Sequence, residues 1–138
     1  MTEIHAGGCL CQGVRYEFSD NPLMTVNCYC RDCQKATGSP FATVLALPQA
    51  AFRLLKGELG AFTVKSGGGR DVTREFCKVC GSPLFTKAEM VPDLIFVKAG
   101  SLDDSSWLSP VLNCWTSRKE HWMPMAADIQ SYPENPEM

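Results

Sequence analysis

The sequence predicts a mainly β fold, and three observations carry that expectation. Short apolar or aromatic runs alternate with polar residues, Gly, Pro and Ser punctuate them at close intervals, and a single stretch has helical character. Val14, Tyr16 and Phe18 alternate with Arg15 and Glu17, and Val72, Arg74 and Phe76 alternate with Asp71, Thr73 and Glu75. Period-2 alternation is the signature of a strand with one face buried. Met24–Cys28, Phe41–Leu47, Leu59–Lys65, Pro83–Thr86 and Leu94–Lys98 add five more short runs rich in β-branched or aromatic residues. The helical exception is Asp32–Thr37, with Gly38 placed where a left-handed C-terminal cap falls. Gly67-Gly68-Gly69 precedes a strand rather than a helix, so it reads as a hairpin connection and not as a phosphate cradle.

A chain of 138 residues with 45% hydrophobic content has the size and composition of one domain. At that length about two thirds of the unfolded surface is buried on folding, so size alone creates no need for a metal. We divide the chain into a folded part, residues 1–131, and a polar tail, residues 132–138, whose Tyr-Pro-Glu-Asn-Pro composition predicts fraying or a surface position. Thirteen Lys and Arg against 15 Asp and Glu give a net charge of -2, with the basic residues scattered, which argues against a nucleic-acid partner. No apolar run approaches the roughly 18 residues of a membrane span, and the first residues have neither a basic n-region nor an apolar h-region. A cytoplasmic location is the expectation.

Eight cysteines in such a chain direct attention to metal chemistry, because a reducing compartment disfavours disulfides. A disulfide framework is the competing reading, and the tight C-x-C and C-x-x-C clusters weigh against it. Cys9 and Cys11 form one pair, Cys77 and Cys80 another. On a strand, residues i and i+2 point the same way about 6.8 Å apart, and two thiolates on one tetrahedral zinc sit about 3.7 Å apart, a gap two side chains can close. Cys77-Lys78-Val79-Cys80-Gly81 has the form of a zinc knuckle in which Gly81 leaves the turn at positive φ. Four thiolates make a closed, structural zinc site. A redox dithiol is the weaker alternative, since a thioredoxin-like C-x-x-C opens a helix and Cys77 instead follows a strand pattern.

Cys28, Cys30 and Cys33 make a second group within six residues. Three protein ligands with a fourth position open is the arrangement of catalytic zinc. Cys114, between Asn113 and Trp115, either completes a second closed site or is a lone buried thiol, and the absence of a neighbouring ligand favours the lone thiol.

These motifs together resemble the glutathione-dependent formaldehyde-activating (GFA) family. The resemblance rests on Gly7-Gly8-Cys9-Leu10-Cys11 through Tyr16, on Cys28 to Ser39, on Phe76 to Leu84 and on Gly100 to Asp103, and it runs from about Gly7 to Trp122. It implies a β-tent (Mss4-like) fold of twisted antiparallel sheets pinned by a zinc. It also implies Cys9, Cys11, Cys77 and Cys80 as structural ligands, with Cys28, Cys30 and Cys33 holding a labile zinc at the active site. The implied activity is carbon–sulfur lyase chemistry on a glutathione-like thiol and formaldehyde or a related aldehyde, in either direction. One departure stands out: the family carries a His after the late proline, whereas Pro110-Val111-Leu112 here leads to Asn113. If that His positions substrate, the thiol or aldehyde used here differs. His5 and His121 read as solvated or hydrogen-bonded residues rather than replacements.

Two other functions compete. A zinc-pinned binding module needs no under-coordinated metal, which the three-cysteine group argues against, and a methionine sulfoxide reductase needs two C-x-x-C pairs where this chain has C-x-C. Arg31, Lys35, Arg118 and Lys119 are candidate carboxylate anchors and Trp107, Trp115 and Trp122 candidate pocket walls, each set against solvated charge or plain packing.

Overall fold

Eleven strands and one helix arise in the computed structural model, which describes residues 3–136. Along the chain they are β1 (Ile4–Gly8), β2 (Arg15–Ser19), β3 (Met24–Cys28), α1 (Arg31–Thr37), β4 (Ala42–Pro48), β5 (Phe52–Lys56), β6 (Leu59–Lys65), β7 (Asp71–Cys77), β8 (Pro83–Ala88), β9 (Leu94–Lys98), β10 (Leu112–Cys114) and β11 (Gln130–Ser131). They build two sheets, one of three strands in the order β1-β2-β5 and one of eight in the order β11-β10-β3-β4-β9-β8-β7-β6. The class is the mainly β one the sequence predicts. Strand directions are mixed rather than purely antiparallel, because β10 runs parallel to both β3 and β11.

The strands at Met24–Cys28, Leu59–Lys65 and Leu94–Lys98 coincide at both ends with their sequence patterns. Of the strands the pattern did not signal, β1, β10 and β11 are explained by composition or length. In β1 the run Ile-His-Ala-Gly-Gly has low intrinsic strand preference, but Gly7 is required. A Cβ there would come within 2.4 Å of the Tyr16 hydroxyl, which hydrogen-bonds Ser101 Oγ at 2.6 Å. Close approach of another group to the backbone is a use of glycine that local propensity does not register. At three and two residues, β10 and β11 are too short to show a period.

Alternation along the central strands sorts side chains onto two faces. Leu45, Leu47, Ile95 and Val97 join Tyr16 and Phe18 of the smaller sheet in the main core, together with Phe85, Cys9 and Cys77. Edge-on aromatic contacts organise it: Tyr16 with Phe85 at 5.2 Å and Phe52 with Phe85 at 5.0 Å between ring centroids. The other face of the larger sheet carries Val26, Ala42, Val44, Leu112 and Cys114, against which Cys28, Cys33 and Phe96 pack. The two cysteine groups therefore belong to different clusters on different faces.

Helix α1 lies with this second cluster. Cys30 caps its N-terminus, accepting from Cys33 N–H at 3.2 Å, and Gly38 ends it at φ 71° with its N–H on the Gln34 carbonyl, as the sequence predicts. Gln34, buried within the helix, donates to the Tyr29 carbonyl at 2.7 Å and the Arg118 carbonyl at 3.1 Å and so fixes the helix to the sheet. The glycine run closes the β6–β7 hairpin, with Gly69 at φ 80°. In the segment expected to fray or lie on the surface, the described residues are held at the surface: Tyr132 N–H reaches the Asn113 carbonyl at 2.9 Å, Glu134 O accepts from Trp115 N–H at 3.0 Å, and Asn135 Oδ1 accepts from Trp115 Nε1 at 2.7 Å. Glu137 and Met138, the rest of that tail, lie outside the described residues.

Candidate metal centres

Cys9, Cys11, Cys77 and Cys80 come together with all four sulfurs within 4.8 Å of one another. Cys9 to Cys11 is 3.5 Å and Cys11 to Cys77 is 3.8 Å, close to the ~3.7 Å edge of a tetrahedral zinc–thiolate site. The C-x-C pair converges differently from the expectation of a strand. Cys9 and Cys11 sit in the turn between β1 and β2, where Gln12 takes φ 65° and its N–H returns to the Cys9 carbonyl at 3.1 Å. A turn brings both sulfurs inward without asking a strand to bend. The second pair follows the knuckle geometry, with Gly81 at φ 78° and its N–H on the Cys77 carbonyl at 2.9 Å.

Backbone donors surround these sulfurs. Val14 N–H points at Cys9 Sγ at 3.2 Å, Gly13 N–H at Cys11 Sγ at 3.4 Å, and Val79 N–H at Cys77 Sγ at 3.3 Å. A hydrogen bond from Ser82, at 3.2 Å from the sulfur, draws the Cys80 thiol down to about 5. Donors aimed at sulfur stabilise the thiolate, the form that binds metal, so the residues fit a structural zinc.

The second group assembles where β3 meets α1. Cys28 ends the strand, Cys30 caps the helix and Cys33 lies in its first turn, all three half-buried and within 4.8 Å of one another. Two cations approach it. The Arg74 guanidinium reaches Cys33 Sγ at 3.8 Å. Lys98 is only 8% exposed, with Nζ on Thr86 Oγ1 at 2.9 Å. Hydrogen bonds from the Cys28 and Cys30 thiols, with Arg74 and Lys98 adding their charge, lower the Cys33 thiol to about 2, while hydrogen bonding with Cys28 and Cys33 pushes Cys30 up. Arg74 and Lys98 thus set positive charge beside the three sulfurs. Burial pushes Lys98 down from its ordinary value. A thiolate-forming trio with cationic compensation fits an open three-cysteine zinc, with three sulfurs mutually within 4.8 Å.

Cys114 stands directly opposite Cys28 in the β10–β3 register, with its carbonyl on Tyr29 N–H at 3.0 Å. Hydrogen bonding with Cys114 is the main cause that raises the Cys28 thiol. It adjoins the trio through Cys28 and is not among the mutually close sulfurs. All eight cysteines carry free thiols. Asn113, fully buried on the opposite side of β10, donates to the Ala126 carbonyl at 3.0 Å and Ser131 Oγ at 3.2 Å and accepts from Asn27 Nδ2 at 3.3 Å. It ties three segments together.

Arg74 and Lys98 were missed in the sequence, and each had a signal. Arg74 shares the inward parity of Val72 and Phe76, and Lys98 shares that of Phe96. A charge on the apolar face of an alternating strand calls for a partner. Of the candidate anchors, Arg31 is tied to Gln34 Oε1 and Lys119 Nζ to the carbonyls of Glu120 and Met123; of the candidate pocket walls, Trp122 is 60% exposed. Trp107 stacks on His5 at 4.1 Å in the main core, and Trp115 packs against the second cluster.

Two cavities meet at Lys98 and Pro83, which line both. The larger, about 630 Å³, opens between the Cys9–Gln12 turn, the Thr37–Thr43 segment and Ser101–Asp103. The smaller, about 210 Å³, lies between α1 and β6 to β9 and includes Ala36, Phe62, Arg74 and Phe76.

The fold and these groups define a class: a mainly β, β-tent chain with two cysteine clusters able to hold metal ions. Residues 4–118 match the family of the glutathione-dependent formaldehyde-activating enzyme, and the chain belongs to that family. A crystal structure of a Rhodobacter sphaeroides protein is similar in fold, with a TM-score of 0.56 and 20% identity over 76% of this chain and 91% of that one. No helix among the described residues is long and apolar enough to cross a membrane.

Proposed function

We propose that the chain is a zinc-dependent carbon–sulfur lyase that adds a thiol such as glutathione to formaldehyde or a related aldehyde, or runs the reverse. The observation that carries this reading is the open trio Cys28, Cys30 and Cys33 with Arg74 and the buried Lys98 beside it. A zinc held by the trio supplies Lewis acidity that keeps a substrate thiol in its thiolate form at neutral pH. Arg74 and Lys98 add the positive charge that favours a further anion next to three thiolates. In the addition the sulfur–carbon bond forms as the carbonyl π bond breaks, and the proton lost from the thiol ends on the carbonyl oxygen, so nothing is oxidised or reduced. Lys98 Nζ is the group that hydrogen-bonds this oxygen, with Thr86 Oγ1 orienting the ammonium. The larger cavity takes the bulk of the thiol. We place the reaction in the cytoplasm, where eight free thiols persist.

The test is exchange spectroscopy on glutathione and formaldehyde, with and without zinc-loaded protein. The expected result is acceleration of adduct formation and breakdown that Cys30→Ser abolishes. No acceleration with any thiol and aldehyde overturns the reading. One observation favours a second reading, a doubly pinned scaffold: Cys114 opposite Cys28 offers a fourth sulfur. Zinc retention in Cys114→Ala, together with thiol binding, separates the two.

A further inference from the structure

The smaller cavity is bounded by Ala36 of α1, Phe62 of β6, Phe76 of β7 and Pro83 of β8. Glycine is what shapes it. Gly60 pairs with Phe76 across β6 and β7, and a Cβ at position 60 would meet the Phe76 ring at 2.5 Å. Without one, the ring occupies the space beside Gly60 and forms a wall of the cavity. Phe62, though on the edge strand, is 68% exposed, an aromatic left uncovered beside a slot that needs an apolar lining. The slot also adjoins the thiol trio. Ala36 sits one helical turn beyond Cys33, and Arg74, which lines the slot, is the residue whose guanidinium reaches Cys33 Sγ.

Size decides what the slot can take. At about 210 Å³ it is several times the ~30 Å³ share of one water molecule, and an apolar cavity of about 150 Å³ accepts benzene. A one-carbon aldehyde would leave it filled with water against aromatic walls. Because Lys98 and Pro83 belong to both cavities, a molecule with a thiol-derived arm in the larger space and a second arm in the slot would place its sulfur–carbon junction beside Lys98.

We infer that this slot binds an apolar substituent carried on the substrate's carbonyl carbon, which makes aryl and medium-chain alkyl aldehydes the substrates of this chain in preference to formaldehyde. The inference rests on the carbon–sulfur reading above for its reaction and on the cavity alone for its binding site. Each buried methylene contributes about fourfold in affinity, so the slot is read directly as a dependence on chain length.

The experiment uses the zinc-loaded full chain and two stable probes, S-methylglutathione and S-hexylglutathione, in titration calorimetry, alongside turnover of formaldehyde, propanal, hexanal and benzaldehyde. The hexyl probe binds at least tenfold tighter than the methyl probe, and Ala36→Phe, which fills the slot from the helix side, removes most of that ratio. Phe76→Leu lowers the same ratio by a smaller factor, and thermal melts of both variants verify folding. Equal affinity of the two probes for wild type, or a ratio that neither variant moves, overturns the slot. Chain-length-dependent binding that Ala36→Phe abolishes, with no turnover of any aldehyde, keeps the slot as a ligand site and overturns the reaction instead.

Discussion

The two cysteine groups use the same atom type in different surroundings, and the roles we propose for them differ with those surroundings. Around Cys9, Cys11, Cys77 and Cys80 the donors are backbone N–H groups in two tight turns, joined by the Ser82 hydroxyl at Cys80, and Arg15, whose charge reaches Cys9, is already paired with Asp103. Around Cys28, Cys30 and Cys33 two cationic side chains stand within reach, one of them buried. Backbone donors are fixed by the fold and suit a metal that stays. Side-chain cations can compensate an anion that comes and goes. The first group also fastens distant parts of the chain, 66 residues apart between Cys11 and Cys77, whereas the second is nearly local.

The largest expected effect breaks this comparison if it fails. Cys77→Ser should lose zinc and several kcal/mol of stability, since metal binding at a closed site is coupled to folding. Cys30→Ser should melt close to wild type, because serine is a favoured N-cap and keeps a side-chain acceptor for Cys33 N–H. Calorimetric melts with metal analysis check both, and equal melting temperatures would show that the groups do not differ in role.

Next in size are the cations. Lys98→Met should lower kcat/KM of thiol addition by about 100-fold, the scale of losing one preorganised charge donor, while leaving zinc content of both sites intact. Its effect on stability should be small or favourable, because a buried ammonium replaced by a similar apolar chain is no longer desolvated. Arg74→Lys should retain more activity than Arg74→Met. Steady-state rates paired with denaturant melts separate charge from packing.

Smaller again is Cys114→Ala. It should keep both zinc ions and cost about 1 kcal/mol for the trimmed sulfur. Loss of the second zinc in a chelator competition would move Cys114 from neighbour to ligand.

The smallest effect concerns the ion pair beside the first group. The Arg15 guanidinium holds Asp103 below its ordinary carboxylate range. A depressed carboxylate stabilises the fold above its unfolded pKa and loses that contribution as pH falls through the folded one. Asp103 is half exposed, so Asp103→Asn should cost less than about 1 kcal/mol at pH 7 and progressively less as pH falls below about 4. Urea melts of both proteins at several pH values measure it.

By itself the sequence determined the mainly β class, three strands to the residue, the capped helix, and the grouping of the cysteines, because period-2 patterning, turn glycines and cysteine spacing are local signals. Tertiary structure decided the rest. It put Cys9 and Cys11 in a turn, drew Tyr132 to Asn135 onto β10, and buried Asn113 as a tie between segments. It also set Arg74 and Lys98 beside the second cysteine group. Which charge faces a thiolate depends on strand order and register, which bring residues 33, 74 and 98 together. Pairings between strands far apart in the chain leave no mark on any one segment's pattern.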